Sequence, residues 1–235
     1  MAVQEELVSQ NIDFYFDPMC PYAYQTSLWI RDVRRQNGLH IEWKFFSLEE
    51  INRPEGKKHP WERPIGYGWS PMRVAARLRR RDASLCDAWY LACGRTLHEE
   101  GRKPHDPEVA RQLLVEIGAS ADDWDEALSD DTTHDEVKSD HFHAVDTYGG
   151  FGVPIIVFTA HEGRGPKAVF GPVVVPAPLG DDAMALWDLT VAYTRVDGLY
   201  EIKTPKTSAD IAFIGRAFTP YLQGRDWQSV QNPAP

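Results

Sequence analysis

The sequence predicts an α/β protein in which two parts of one sheet lie on either side of an all-helical insertion. Three observations predict this class. The first ~50 residues show a strand–helix–strand pattern, a long stretch with helical periodicity follows, and strand signals return at Val153. A helical run between two sets of strands is typical of a mixed α/β core that carries an inserted helical domain.

The first strand leads directly to a cysteine. The aromatic run that ends at Phe16 is followed by the turn-forming pair Asp17-Pro18, and Cys20 and Pro21 come next. Proline is tolerated at the first helical position, so Cys20 falls at the N-cap of the helix. Unpaired N–H groups and the positive end of the helix dipole stabilise a thiolate there. We therefore expect Cys20 to be reactive and readily ionised.

The spacing around Cys20 is that of a redox Cys-x-x-Cys motif in which Ala23 replaces the second cysteine. A disulfide between these two positions cannot form, so a second thiol has to come from elsewhere. The remaining cysteines, Cys86 and Cys93, lie seven residues apart on one predicted helical face. Core packing is the preferred interpretation for both, because free cysteine packs as a small hydrophobe.

The remaining elements follow in order. The first helix ends at Gly38, and the alternation from His40 to Leu48 predicts a half-exposed or edge strand. The long stretch before Gly149 predicts several helices. Two further runs, 153–158 and 167–175, predict a β-hairpin with its turn at 162–165, and a last core helix follows. Beyond Thr207 we expect a helix and a polar tail.

Composition excludes several functions. A formal net charge of −10 argues against nucleic acid as a partner, and the basic segment from Arg73 to Arg81 is interpreted as a solvated helix face. No apolar run is long enough to span a membrane, and the N-terminus lacks the features of a signal peptide. With only three cysteines, a cytoplasmic location is predicted.

Cofactor motifs are also missing. There is no glycine-rich fingerprint for a flavin or nicotinamide cofactor. His134, His141 and His143 lack the spacing of a metal site, and His141 is predicted to be a hydrogen-bonded core or interface histidine. Five aromatic residues near the turn or on the following loop are expected either to line a pocket or to cover the first helix. They are Tyr22, Tyr24, Trp61, Tyr67 and Trp69.

Several segments together resemble a known family. Phe-Asp-Pro-Met-Cys-Pro at 16–21 ends the first strand, Ser-Leu-Glu-Glu-Ile-Asn at 47–52 follows the second, and Trp-Ser-Pro-Met-Arg-Val-Ala at 69–75 opens the helical insertion. Gly-Val-Pro at 152–154 precedes the third strand, and Tyr-Glu-Ile-Lys at 200–203 ends the core. Their order resembles the DsbA family of thioredoxin-fold proteins, and within it the actinobacterial mycothiol-dependent nitroreductases.

The resemblance implies a discontinuous thioredoxin-like domain at 1–58 and 150–207, a helical insertion at 59–149, and a C-terminal helix and tail at 208–235. It implies a cis peptide bond before Pro154, facing the sulfur, and mycothiol or another low-molecular-weight thiol as co-substrate. A small-molecule thiol and an oxidised substrate are then the partners, and a homodimer is left open. Cys20 would be catalytic, and the thiol or substrate would be bound by Pro18, Pro21, Tyr22, Asn52, Trp69, Val153 and Pro154.

Three functions remain open on this evidence. The first is a monothiol oxidoreductase in which Cys20 forms a mixed disulfide with the small thiol and reduces disulfide or nitro-aromatic substrates. The second is a thiol-dependent isomerase or transferase, resembling the kappa-class glutathione transferases. The third is a non-catalytic thioredoxin-fold binding module, because Ala23 could mark the decay of an ancestral site.

Overall fold

The computed structural model describes residues 11–159 and 165–224. The N-terminal residues before 11, most of the predicted turn at 162–165 and the end of the predicted polar tail lie outside these ranges. Within them the strands are β1 (Asn11–Phe16), β2 (His40–Phe45), β3 (Ile155–Phe158) and β4 (Lys167–Phe170).

The described residues also form ten α-helices and a 3-10 turn at Pro60–Glu62. The helices are α1 (Pro21–Asn37), α2 (Leu48–Ile51), α3 (Trp69–Arg81), α4 (Ala83–His98), α5 (Pro107–Glu116), α6 (Asp123–Ser129), α7 (Thr132–Tyr148), α8 (Asp181–Thr194), α9 (Ser208–Ala217) and α10 (Thr219–Gly224). The predicted order of strands and helices is therefore confirmed.

The four strands form one mixed sheet with the order β2-β1-β3-β4. β1 pairs in parallel with β2, placing Phe16 opposite Phe45, while β3 runs antiparallel to β1 and to β4. β2 lies at an edge, as its alternating polarity predicts. The sheet therefore places the end of β1, and the turn that follows it, beside the start of β3.

The two faces of the sheet are covered by different helices. Phe14 and Phe16 point to the face that carries the main core, where Tyr90 of α4 stacks on Phe16 with ring centroids 3.8 Å apart. Tyr15 points to the other face and meets Tyr148 of α7. Successive residues of β1 therefore pack alternately against the helices on the two faces of the sheet.

β4 is shorter than predicted. The expected strand ran to Val175, but the observed one ends at Phe170. Gly171 follows it with a φ of 124°. This conformation is outside the extended region of a strand, so the strand ends there, after a last 3.0 Å hydrogen bond from the Gly171 N–H to the Pro154 carbonyl oxygen.

The basic segment of α3 is solvated only at its C-terminal end, where Arg80 and Arg81 are exposed. Arg73 is buried and donates a 2.8 Å hydrogen bond to the Thr133 hydroxyl, and the Arg79 guanidinium lies 2.6 Å from the Asp140 carboxylate. The other arginines also pair with acidic residues of α6 and its flanks: Arg77 and Arg81 with Asp123, and Arg80 with Asp130. The sequence could not reveal these partners, which lie some 40 to 60 positions away. The ion pairs connect α3 to α6, α7 and the residues between them.

Candidate active site

Cys20 is the N-cap residue of α1. Its sulfur accepts a hydrogen bond from the Ala23 backbone N–H at 3.4 Å, and Pro21 occupies the first helical position. The predicted N-cap position is confirmed. Because the Cys20 backbone N–H also bonds to the Asp17 carbonyl oxygen at 3.0 Å, the cysteine is held in a tight turn between β1 and α1.

The Val153–Pro154 peptide bond is cis, and it lies opposite this turn. The Cys20 thiol donates to the Val153 carbonyl oxygen, with 3.5 Å between sulfur and oxygen. The two residues are far apart in the chain, and the β1–β3 pairing brings them together. The carbonyl of Val153 is thus the backbone group that faces the sulfur.

The thiol is protonated in this arrangement. Cys20 is only 6% exposed, and burial raises the pKa of its thiol to about 12. The N–H groups of Ala23 and Tyr22 lower this pKa, and the Asp17 carboxylate raises it. This differs from the expectation of a readily ionised thiol. The helix N-terminus acts in the predicted direction, but loss of water around the sulfur outweighs it.

Asp17 is a buried carboxyl group beneath the turn. Its two oxygens accept hydrogen bonds from the backbone N–H groups of Met19 at 2.9 Å and Leu48 at 2.8 Å. Burial raises the pKa of Asp17 to about 7, against the lowering effect of these two bonds. Through these hydrogen bonds the carboxyl group links the cysteine turn to the segment after β2. Its charge changes near neutral pH.

His98 is a site residue that the sequence analysis missed. Its Nε2 lies 2.9 Å from the Pro18 carbonyl oxygen, and its ring stacks on Tyr24 of α1. Burial lowers the pKa of His98 to about 4, so it is neutral at physiological pH. A histidine at the end of a helix, some 80 residues from the turn, carries no local sequence pattern that could have indicated this contact.

Some of the predicted binding residues surround Cys20. Pro18, Pro21 and Tyr22 belong to its turn, and Val153 and Pro154 face it. Tyr22 is half-buried, and its ring meets Phe218 of the C-terminal helices edge-on.

Asn52 and Trp69 serve other contacts. Asn52 is exposed and donates to the Leu48 carbonyl oxygen of its own helix. Trp69 is buried and donates from its indole N–H to His134 at 2.8 Å. With Tyr24 and Tyr67 also buried, these aromatic side chains pack in the interior. That Asn52 and Trp69 bind the thiol stays a prediction.

The other cysteines and histidines have structural surroundings. Cys86 and Cys93 are free and buried in α4, which confirms their predicted core positions. His141 is buried and its Nδ1 accepts a hydrogen bond from the Ser47 backbone N–H at 3.2 Å, as predicted for a core histidine. Over residues 11–159 and 165–224, no group of three or more potential ligands could hold a metal ion.

Comparison with known proteins decides the family. Residues 19–204 match the family described as mycothiol-dependent nitroreductase Rv2466c. The chain belongs to this family. The match includes Cys20, α1 and Val153–Pro154, but it begins after Pro18 and ends before α9 and α10.

The chain is also similar to individual curated proteins. The chain is 51% identical over 220 residues to the uncharacterized protein Rv2286c of Mycobacterium tuberculosis, covering 94% of this chain and 93% of that protein. It is 22% identical over 175 residues to the 2-hydroxychromene-2-carboxylate isomerase of Sphingobium xenophagum, covering 63% and 89% of the two chains.

A solved structure shows the fold. The probable DsbA oxidoreductase SCO1869 from Streptomyces coelicolor superposes with a TM-score of 0.56 at 18% identity, covering 86% of this chain and 97% of that one. The predicted thioredoxin-like α/β fold is therefore confirmed, and the family match confirms the resemblance to the mycothiol-dependent nitroreductases. Among the helices that the structure describes, none is both long and apolar enough to cross a membrane.

Proposed function

We propose that this chain is a monothiol oxidoreductase in which Cys20 forms a mixed disulfide with a low-molecular-weight thiol such as mycothiol. The proposal rests on the surroundings of the Cys20 sulfur. Cys20 caps a helix and faces the Val153 carbonyl oxygen, while the position of a second redox thiol is filled by the methyl group of Ala23. The description of the family names the same thiol.

The proposed reaction exchanges disulfide bonds. The deprotonated sulfur of Cys20 attacks one sulfur of an oxidised substrate, so that a new S–S bond forms, the old one breaks, and the departing thiolate takes up a proton. A small thiol then attacks the mixed disulfide and releases Cys20. Over one cycle one small thiol is consumed. One half of the substrate disulfide leaves as a thiol, and the other half leaves joined to the small thiol as a new disulfide.

The same sulfur can serve a nitro-aromatic substrate. Oxidation of Cys20 and one small thiol to a mixed disulfide releases two electrons and two protons. These convert a nitro group to a nitroso group and water. A second small thiol then displaces Cys20, which restores the enzyme. Because Cys86 and Cys93 are buried in α4, the external thiol is the resolving group in this proposal.

A second candidate function is favoured by the protonated state of Cys20. In a thiol-dependent isomerase or transferase, the sulfur of the bound cofactor does the chemistry, and the protein side chain only orients it. A thiol that donates to the Val153 carbonyl oxygen and has a raised pKa suits that orienting role. The isomerase of S. xenophagum among the relatives adds to this candidate.

Replacement of Cys20 separates the candidates. For the oxidoreductase, Cys20→Ser abolishes thiol-dependent reduction of a disulfide or nitro-aromatic substrate. Mass measurement of the wild type after incubation with oxidised mycothiol then finds one thiol adduct, located on Cys20. Substantial activity in Cys20→Ser favours the isomerase or transferase instead. Absence of both turnover and adduct leaves a binding module.

Cys86→Ala is the matched control for this experiment. It removes a thiol that is buried in α4 and is expected to keep the adduct and the activity. Adduct formation that disappears in Cys86→Ala and persists in Cys20→Ser would contradict the assignment of the reacting sulfur. We place the reaction in the cytoplasm, because a reducing compartment keeps a small thiol available for the second step.

A further inference from the structure

The last two helices of the described chain lie against the cysteine turn. We call residues 207–224, which contain α9 and α10, the C-terminal segment. Its Phe218 and Tyr221 are 8% and 7% exposed and belong to one buried apolar cluster with Met19, Tyr67 and Leu97. Met19 immediately precedes Cys20, so this cluster adjoins the reactive residue.

Phe218 also covers the other side of the turn. Its ring meets the ring of Tyr22 edge-on, with centroids 5.0 Å apart. Met19 and Tyr22 flank Cys20 in the chain, and both belong to the apolar cluster that contains Phe218 and Tyr221. These side chains therefore lie on either side, in the chain, of a cysteine that is almost fully buried.

The attachment of the C-terminal segment is narrow. α9 has no buried residue, and every residue from 200 to 213 is exposed. Contact is concentrated in the half-buried Ile214 and in Phe218, Tyr221 and Gly224. Gly224 lies close to Leu97 and Gly101. Regions held by few buried apolar contacts open at a lower free energy than the rest of a protein.

A buried polar atom beneath the segment favours such opening. The rings of His98 and Tyr221 lie 5.3 Å apart, and His98 Nδ1 is buried without a hydrogen-bond partner in the described part of the chain. A buried polar atom without a partner costs free energy, which contact with water would recover. Movement of Tyr221 away from His98 would provide that contact.

We propose that the C-terminal segment is a lid over Cys20 that admits small disulfides and nitro compounds and excludes the disulfides of folded proteins. The inference rests on the proposed function, because it takes Cys20 as the reacting sulfur, and it adds the substrate class. A disulfide in a folded protein can reach the Cys20 sulfur only through a wide gap, and Phe218 and Tyr22 block such a gap. A small molecule can reach the sulfur when the lid opens briefly.

The lid is tested by the size dependence of Cys20 alkylation. N-ethylmaleimide and a maleimide carried on a long polyethylene glycol chain have the same chemistry but differ in size. In the wild type the small reagent is expected to modify Cys20 much faster than the large one. In Phe218→Ala this ratio falls by about tenfold or more, because loss of a buried aromatic ring shifts the equilibrium toward the open lid.

Phe213→Ala is the matched control. Phe213 lies in the same helix pair, but its side chain is largely exposed and lies outside the cluster, so the variant is expected to keep the wild-type ratio. Peptide mapping after alkylation locates each modification. Cys86 and Cys93 are buried in α4, so they stay unmodified while the core is folded. If Cys86 or Cys93 becomes modified in Phe218→Ala, the milder variant Phe218→Leu is used instead. Its ratio of small-reagent to large-reagent rates is expected to lie between those of the wild type and Phe218→Ala.

A wild type that reacts equally fast with both reagents would overturn the lid. So would a ratio that is unchanged in Phe218→Ala and in Phe218→Leu. Turnover supplies the second measurement: with mycothiol as reductant, both variants are expected to gain activity on insulin disulfides relative to a small nitro-aromatic substrate. If no variant forms a thiol adduct while the alkylation ratio still changes, the proposed function fails and the lid stands.

Discussion

Tyr24 of the active-site helix packs directly against Gly94 of α4. A Cβ atom added to Gly94 would lie 2.2 Å from Cδ2 of the Tyr24 ring, far inside normal contact distance. Tyr24 also stacks on His98, which bonds to the Pro18 carbonyl oxygen of the cysteine turn. The close approach of α1 and α4 at this point thus sets the position of the turn relative to the helical insertion.

Gly94→Ala is expected to destabilise the protein by about 1 to 3 kcal/mol, because the added methyl group forces Tyr24 or the helices apart. The midpoint of urea unfolding measures the change. Gly215→Ala is the control: Gly215 lies in α9 with open space around it, so alanine there should be neutral or stabilising by about 0.5 to 1 kcal/mol. Equal effects at the two positions would contradict the packing argument.

Ala23→Cys is expected to change how long the thiol adduct on Cys20 persists. Ala23 is buried, and its backbone N–H bonds to the Cys20 sulfur. A thiol at this position can attack the mixed disulfide from within the protein and expel the small thiol. Intact-mass measurement after incubation with oxidised mycothiol should therefore show a stable adduct in the wild type and an internal disulfide in the variant.

Ala23→Ser is the control for this variant, since it adds a similar side chain without a thiol. It is expected to keep the stable adduct. A stable adduct in Ala23→Cys as well would mean that the new thiol cannot reach Cys20.

Asp17→Asn is expected to lower the pKa of Cys20. Burial is the main cause of that raised pKa, and the Asp17 carboxylate adds to it, so removal of the negative charge favours the thiolate. The pH profile of Cys20 alkylation reports the change. Because the pKa of Asp17 itself is raised to about 7, the difference between variant and wild type should grow as the pH rises through 7.

Asp188→Asn serves as the control, because Asp188 is exposed on α8. It is expected to keep the wild-type profile. A profile that does not move in Asp17→Asn would show that the carboxyl group acts only through its hydrogen bonds to Met19 and Leu48.

His141→Asn is expected to make stability less sensitive to acid. Burial lowers the pKa of His141 from 6.5 to about 4, so over this range the unfolded chain binds a proton that the folded chain does not. Stability is therefore lost as the pH falls through this window. His98 and His134 act in the same direction. Asp17, whose pKa is raised, acts in the opposite one.

The measurement is the free energy of unfolding in urea at a series of pH values between 4 and 6.5, the window set by these pKa values. The slope of the unfolding free energy against pH should decrease by up to about 1.4 kcal/mol per pH unit, which corresponds to the uptake of one proton on unfolding. Asn can still accept the hydrogen bond from the Ser47 N–H. In the control His143→Asn the histidine is exposed, so the wild-type slope is expected. An unchanged slope in His141→Asn would rule out this histidine as a source of acid sensitivity.

The sequence alone predicted the local features of the site. The turn after Phe16, the N-cap at Cys20 and the first-turn Pro21 depend on neighbours in the chain, and so does the end of α1 at Gly38. The alternation in β2 likewise indicated an edge strand. Patterns of this kind are visible in sequence because the interactions that cause them span only a few residues.

Only the tertiary structure decided the features of the site that depend on residues distant in the chain. Burial sets the ionisation of Cys20, and the Val153 carbonyl oxygen that faces the sulfur lies 133 positions away in the chain. The arginines of α3 find their partners on other helices, and His98 reaches the Pro18 carbonyl oxygen from the end of α4. Desolvation is the sum of all surrounding groups, so no short segment of sequence contains it.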